Sequence, residues 1–171
     1  MYGGTDSDSA NATISSPYYS REKAPLGFPL DPTKWTVEYI DSVDRTKTSA
    51  ADTTWYNLNS ASLSVPIGVW KLEYYVIARC TVANAQLLGV KSALSTSSSD
   101  ISDTTLAAMT VTSGADVDVG SNHTRSKTIS LASKTTYYLL TCADIGYDGT
   151  CTLENGGANG STIIRAVCAY L

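Results

Sequence analysis

The stretch that decides the fold runs from residue 69 to residue 82 and reads VWKLEYYVIARCTV. Its side chains alternate with a period of two, which is typical of a β-strand with one buried face. One face carries Trp70, Leu72, Tyr74, Val76, Ala78, Cys80 and Val82. The other face mixes charges with Tyr75 and Ile77, so part of the strand has apolar residues on both sides. We expect a second layer to cover it there, either a subunit interface or the N-terminal part of the chain, and we assign Tyr75 and Ile77 to an oligomer interface.

Working outward from this strand, the same alternation continues along the rest of the chain from Lys34. Polar and glycine-rich breakers divide it into short segments, and no long helical pattern is present. Strands are predicted at 35–40, near 53–65, and near 86–94, 105–112, 126–132, 136–142, 150–154 and 161–171. Many short strands separated by polar turns favour an all-β fold. We predict a single antiparallel β-sandwich, a jelly roll, spanning residues 34–171.

Residues 1–33 differ from the remainder because they contain four of the five prolines in the chain. Proline removes a backbone donor and fixes φ, so neither a helix nor a central strand is expected there. We predict an extended N-terminal arm for attachment or assembly. Its apolar anchors are Tyr18, Tyr19, Leu26, Phe28 and Leu30.

The composition excludes several classes of function. Only 16% of the residues are charged, the net charge is −4, and Lys and Arg are scattered singly, so no basic footprint for nucleic acid is present. No apolar run is long enough to span a membrane, and the N-terminus has no signal-peptide pattern. We therefore expect neither nucleic-acid binding nor membrane insertion.

The residues that could carry chemistry each lack a partner. His123 is the only histidine; we predict that it lies in an exposed loop, and no serine stands in a nucleophile elbow. Asp116 with Asp118, and Asp144 with Asp148, are the candidate carboxylate pairs for glycoside hydrolysis, but the chain is short for a fold that presents such acids. We expect no catalytic residues and no enzyme activity.

Metal and disulfide patterns are equally incomplete. Residues 144–149 read DIGYDG, which resembles part of a calcium loop but lacks the oxygen ligand at the third position and the glutamate at the twelfth. The spacing of the four cysteines fits no zinc or thioredoxin motif. Cys142 and Cys151 could be joined by a disulfide across a hairpin, and the sequence leaves this open. We expect no metal and no cofactor.

Aromatic and amide side chains near the predicted turns are the candidates for ligand binding. Tyrosine and tryptophan combine an apolar ring with a polar group, so they can stack on sugar rings or fill a partner's pocket. The candidate residues are Trp55, Tyr56, Tyr147, Asn155 and Asn159. The alternative for each is packing at the rim of the sheets or, for the asparagines, a place in a flexible loop.

Three segments resemble a known family. Residues 63–74, LSVPIGVWKLEY, are similar to the opening strands of C1q-like and tumour-necrosis-factor-like jelly rolls. Residues 136–139, TYYL, and residues 163–171, IIRAVCAYL, resemble their later tyrosine-bearing strand and their closing strand. The low charge and the abundance of Ser, Thr and Gly are more similar to bacteriophage members, namely tail-fibre heads and capsid decoration proteins. The resemblance covers about residues 34–171.

The resemblance implies a homotrimer, a place in the virion and no catalysis. The first expectation is a non-enzymatic virion protein, the trimeric receptor-binding head of a tail fibre, which contacts a glycan or a protein on the host surface and other virion proteins. A capsid decoration (cement) protein that stabilises the shell is the first alternative. A secreted carbohydrate-binding or C1q-like module is the second.

Overall fold

The alternation around residues 69–82 produces the longest strands of the structure. A computed structural model describes residues 35–84, 87–146, 149–156 and 160–169, without the side chains of 113–116. These residues form ten strands and two short 3-10 turns, at Leu58–Ser60 and Thr104–Leu106. The strands are β1 (Thr36–Asp41), β2 (Arg45–Ala51), β3 (Ser62–Val65), β4 (Gly68–Thr81), β5 (Leu87–Ser95), β6 (Ala107–Asp116), β7 (Asp118–Leu131), β8 (Thr135–Asp144), β9 (Thr150–Asn155) and β10 (Thr162–Cys168).

The strands form two antiparallel sheets. In sheet A, β4 pairs along its whole length with β7. The other edge of β4 pairs first with β10 and then with β9, and these two strands are flanked by β1 and β2. In sheet B the strand order is β3-β8-β5-β6.

The pairing is nested in the manner of a jelly roll. With β2 and β9 set aside, the first strand pairs with the last, β3 with β8, β4 with β7, and β5 with β6. This is a long antiparallel hairpin folded over itself into two layers. The predicted all-β antiparallel sandwich is therefore confirmed, and β2 with β9 extends sheet A beyond the eight-stranded pattern.

The core lies between the two inner faces. The alternate residues of β4 predicted to be buried are buried, from Trp70 at 8% exposed to Leu72 at 0%. They pack with residues of sheet B such as Val90, Leu94 and Leu139 in one hydrophobic cluster. The period-two pattern alone thus identified the buried face of this strand.

The strand predictions were wrong in three places. The strand expected near 53–65 is regular only in β3, and residues 53–61 do not form a strand. Residues 45–51, RTKTSAA, form β2 although they are mostly polar, because β9 supplies their backbone partners. In addition, β7 begins at Asp118 rather than near residue 126. The segment around His123, predicted to be an exposed loop, is therefore a paired strand, and the histidine side chain is 3% exposed.

The predicted arm and its anchors Tyr18, Tyr19, Leu26, Phe28 and Leu30 lie outside the described residues. The same holds for Tyr147 and Asn159. No helix in the described part of the chain is long and apolar enough to cross a membrane.

Candidate ligand-binding cleft

The outer face of sheet B carries an open cleft of about 540 Å³. On β5 and β8, residues such as Val90 and Leu139 point into the core, so the alternate residues point outward. Lys91 lies there between Cys142 of β8 and Met109 of β6, which are its partners in the strand register. The cleft is lined by Thr53, Trp55, Lys91, Ile101, Ala107, Ala108, Met109, Arg125 and Cys142. Its volume lies within the range of small-molecule sites.

Trp55 is held at the cleft by the backbone on either side of it. Thr53 N–H donates to the carbonyl of Ala143 (3.0 Å), and Tyr56 exchanges two hydrogen bonds of 2.9 Å with Thr141. Residues 53–56 thus run along the edge of β8 and continue the line of β3 without regular strand structure. Trp55 is half-buried and lines the cleft.

The cations at the cleft have different partners. Lys91 Nζ lies 2.8 Å from Asp144 Oδ2, an ion pair in which both side chains are about one-quarter exposed. Arg125 crosses the edge of sheet B and donates from Nε to the Ala107 carbonyl (3.0 Å) and from Nη1 to the Thr124 carbonyl (3.1 Å). Among the described residues no carboxylate pairs with Arg125.

Cys142 lines the cleft as a buried, uncharged thiol. Its side chain is 1% exposed, and its thiol donates to the Ala143 carbonyl at 3.3 Å. Burial raises the pKa of Cys142 to about 12, and the neighbouring Lys91 offsets only part of this effect. The thiol therefore stays protonated at neutral pH, which does not suit a nucleophile.

Of the predicted binding residues that the structure describes, one lines the cleft and two do not. Trp55 lines the cleft. Tyr56 does not, because its ring packs against the core and its hydroxyl accepts from Ala51 N–H at 2.9 Å. Asn155 is 2% exposed at the end of β9 and accepts a hydrogen bond of 2.8 Å from Thr141, so it holds the interior together and is not part of a loop surface.

The predicted interface residues lie on the outer face of sheet A. Tyr75 and Ile77 are half-buried, and a side chain built at Gly160 would lie 3.0 Å from Ile77 Cδ1 and 3.4 Å from the Tyr75 hydroxyl. The chain itself therefore covers part of this patch. Beside Tyr75 a depression of about 190 Å³ reaches Ile163 and Arg165 of β10.

His123 belongs to a polar network between the two sheets. Its Nδ1 lies 2.7 Å from the Ser92 hydroxyl and its Nε2 lies 2.9 Å from the Thr110 hydroxyl. Tyr74 donates its own hydroxyl to the Ser92 carbonyl at 3.1 Å. Burial and, to a smaller extent, the positive charge of Arg125 lower the pKa of His123. The neutral imidazole therefore links β7 to β5 and β6 of sheet B through hydrogen bonds.

The carboxylates that were candidates for hydrolysis form ion pairs where the structure describes them. Asp118 forms an ion pair with Arg79, and Asp144 forms one with Lys91. The side chain of Asp116 and the whole of Asp148 are outside the description. Within the described ranges no cluster of three or more His, Cys, Asp or Glu side chains could hold a metal ion.

The cysteines of the structure are free thiols. Cys151 belongs to the same core cluster as Cys80, whereas Cys142 lies on the outer face of sheet B. The structure therefore does not contain the possible Cys142–Cys151 disulfide.

No family model matches the chain, and no curated protein matches its sequence.

Proposed function

We propose that the protein is a non-enzymatic virion protein of a bacteriophage, the trimeric receptor-binding head of a tail fibre, and that the Trp55 cleft contacts a host-surface glycan. The observation that carries the proposal is a half-buried tryptophan at an open cleft, in a segment that the backbone hydrogen bonds of Thr53 and Tyr56 hold against β8. A rigid aromatic ring offers a sugar a flat apolar surface without a large entropic cost of ordering.

The jelly roll supports this function without specifying it. A two-layer sandwich presents loops and sheet faces on a rigid core, and such folds host many unrelated binding functions. The virion role is supported by the low charge and by the resemblance of residues 34–171 to phage jelly rolls.

The trimer is supported by the outer face of sheet A. Tyr75, Ile77 and Ile163 form a half-buried apolar patch there, and Ile40 of β1 is 57% exposed. Burial of such residues against a second copy would remove apolar surface from water. Sedimentation equilibrium at micromolar concentration should give three times the chain mass, and Tyr75→Asp should lower that value. A stable monomer of the unmutated chain would contradict the trimer.

Binding is tested on bacterial surface polysaccharides, namely lipopolysaccharide O-chains and capsular glycans immobilised as an array. The full chain should bind a subset of them, and Trp55→Ala should lose at least about tenfold in affinity because the aromatic platform is removed. Ile67→Ala is the matched control, since Ile67 is 66% exposed in the β3–β4 turn and does not line the cleft. Equal binding by Trp55→Ala and the unmutated chain would refute the cleft as the receptor site.

A capsid decoration protein is the second candidate, and one observation favours it. Exposed apolar side chains follow the β5–β6 edge of sheet B, at Leu88, Met109, Val111 and Val117, each between 46% and 63% exposed. An apolar strip at a sheet edge suits a contact with another protein. Electron microscopy of the source particle separates the two candidates, because the fibre head lies on the tail and the decoration protein on the shell.

A further inference from the structure

We infer that the Trp55 cleft selects a saccharide that carries a carboxylate, a hexuronic acid, and that Arg125 is the residue that recognises the acid. This inference rests on the proposed function of the cleft as a glycan site. It adds the chemical class of the ligand and a specificity-determining residue.

The shape and apolar lining of the cleft favour a ring with a polar edge. Trp55, Ile101, Ala107 and Met109 provide aromatic and aliphatic surface. The C–H face of a pyranose can pack on such a surface while its hydroxyl groups remain near water or polar atoms. An entirely apolar ligand would displace water from the Arg125 guanidinium without supplying an opposite charge.

The charge of the lining favours an acid. The described residues that line the cleft include two cations, Lys91 and Arg125, and no carboxylate. Lys91 forms an ion pair with Asp144, so among the described residues Arg125 is the cation of the cleft that has no carboxylate partner. The protein as a whole carries a net charge of −4, so the positive charge at the cleft is opposite in sign to the net charge of the chain.

Arg125 has enough unused N–H donors to bind a carboxylate. A guanidinium has five N–H groups in one plane. One on Nε and one on Nη1 are used by the carbonyls of Ala107 and Thr124. These bonds orient the plane, and three N–H groups are left, which is enough for a two-point contact with one carboxylate.

The test compares saccharides that differ only in the acid group. The full chain is titrated with α-1,4-linked galacturonate trimer and the corresponding galactose trimer, and with glucuronate and glucose oligomers paired in the same way. At least one acid should bind about three- to tenfold more tightly than its neutral partner. The preference should shrink in 1 M salt, since Arg125 is exposed and its field is screened.

Two variants should move the preference in opposite directions. Arg125→Met removes the charge and keeps an apolar stem, so acid and neutral oligomers should bind equally. Asp144→Asn releases Lys91 from its ion pair, so affinity for the acid should rise severalfold while affinity for the neutral partner is unchanged. Lys134→Met removes one positive charge from the exposed β7–β8 turn and should leave the preference intact.

The outcomes distinguish this inference from the function on which it rests. If acid and neutral oligomers bind equally and Trp55→Ala weakens both, the acid preference is wrong and the glycan site stands. If no uronic-acid oligomer binds while array glycans bind through Trp55, the acid preference is again wrong and the glycan site again stands. If Trp55→Ala changes no binding at all, both fail. Arg125→Lys is the control for a folding defect caused by Arg125→Met. It keeps the positive charge without the planar guanidinium, so it should retain only part of the preference for the acid.

Discussion

Replacing Ser92 by alanine tests whether the polar network between the sheets contributes to stability. The Ser92 hydroxyl is fully buried and lies 2.7 Å from His123 Nδ1. Alanine would leave that ring nitrogen without a partner in a side chain that is 3% exposed. Tyr74 would keep its bond to the Ser92 carbonyl, because the backbone is unchanged. Tyr74 would also lose its 3.3 Å contact with the Ser92 hydroxyl, but it keeps the carbonyl as a partner, so the imidazole nitrogen is the group left without one.

The expected cost follows from that one orphaned group. A buried polar atom that loses its hydrogen bond costs about 1–3 kcal/mol, so we expect a loss of about 2 kcal/mol in the free energy of unfolding. For a chain of this size each kcal/mol corresponds to roughly 2–4 °C in Tm. Ser92→Ala should therefore lower the Tm by about 4–8 °C.

The assay is urea denaturation followed by circular dichroism, with a control serine in the same fold. The Ser64 hydroxyl lies 3.0 Å from the Thr136 hydroxyl on the exposed side of sheet B. Water can replace that bond, so Ser64→Ala should change stability by about 0.5 kcal/mol or less. If Ser92→Ala costs no more than Ser64→Ala, the network does not stabilise the fold as argued.

Three further predictions concern the same scaffold. Gly89→Ala should destabilise the protein by about 1–3 kcal/mol in urea denaturation, because its new Cβ would overlap the Thr110 carbonyl oxygen; an unchanged midpoint would contradict this close approach. Because the pKa of His123 is lowered in the fold, the unfolded chain binds the proton first as pH falls, so stability should decrease as pH falls through about 6.5. His123→Gln should remove that slope between pH 7 and 5.5, and an unchanged slope would assign it to other groups. In thiol titration of the folded protein Cys168, which is half-buried, should react before the three buried cysteines; simultaneous reaction of all four would indicate that the core opens.

The strand pattern was predictable wherever one face of a strand is buried. Residues 69–82 show this most clearly, because burial of alternate side chains is written directly into the sequence as a period of two. The β2 strand shows the opposite case, since its polar side chains are mostly exposed and only backbone bonds to β9 hold it in the sheet. Backbone pairing leaves no signature in side-chain type, so no pattern could identify it.

The site was predictable only in part. Trp55 could be singled out by residue type, because large aromatic groups outside a regular alternation are candidates for binding. Lys91, Met109 and Arg125 could not, since they come from three strands and resemble scattered surface residues in the sequence. Lys91 and Arg125 share one signal, the small number of cations in this chain, and the strand register is needed to place Lys91 beside Met109 in a cleft.

His123 shows what local sequence predicts and what only the tertiary structure reveals. Its neighbours Asn122 and Thr124 are polar and Gly120 precedes them, so local preference favours a loop. The fold instead places 118–131 against all of β4, and the imidazole is buried between the hydroxyls of Ser92 and Thr110. The sequence by itself determined the class of fold, because apolar periodicity decides which face of each strand leaves water. Only the tertiary structure decided which polar side chains meet across the two sheets, because such contacts join residues far apart in the chain and depend on register.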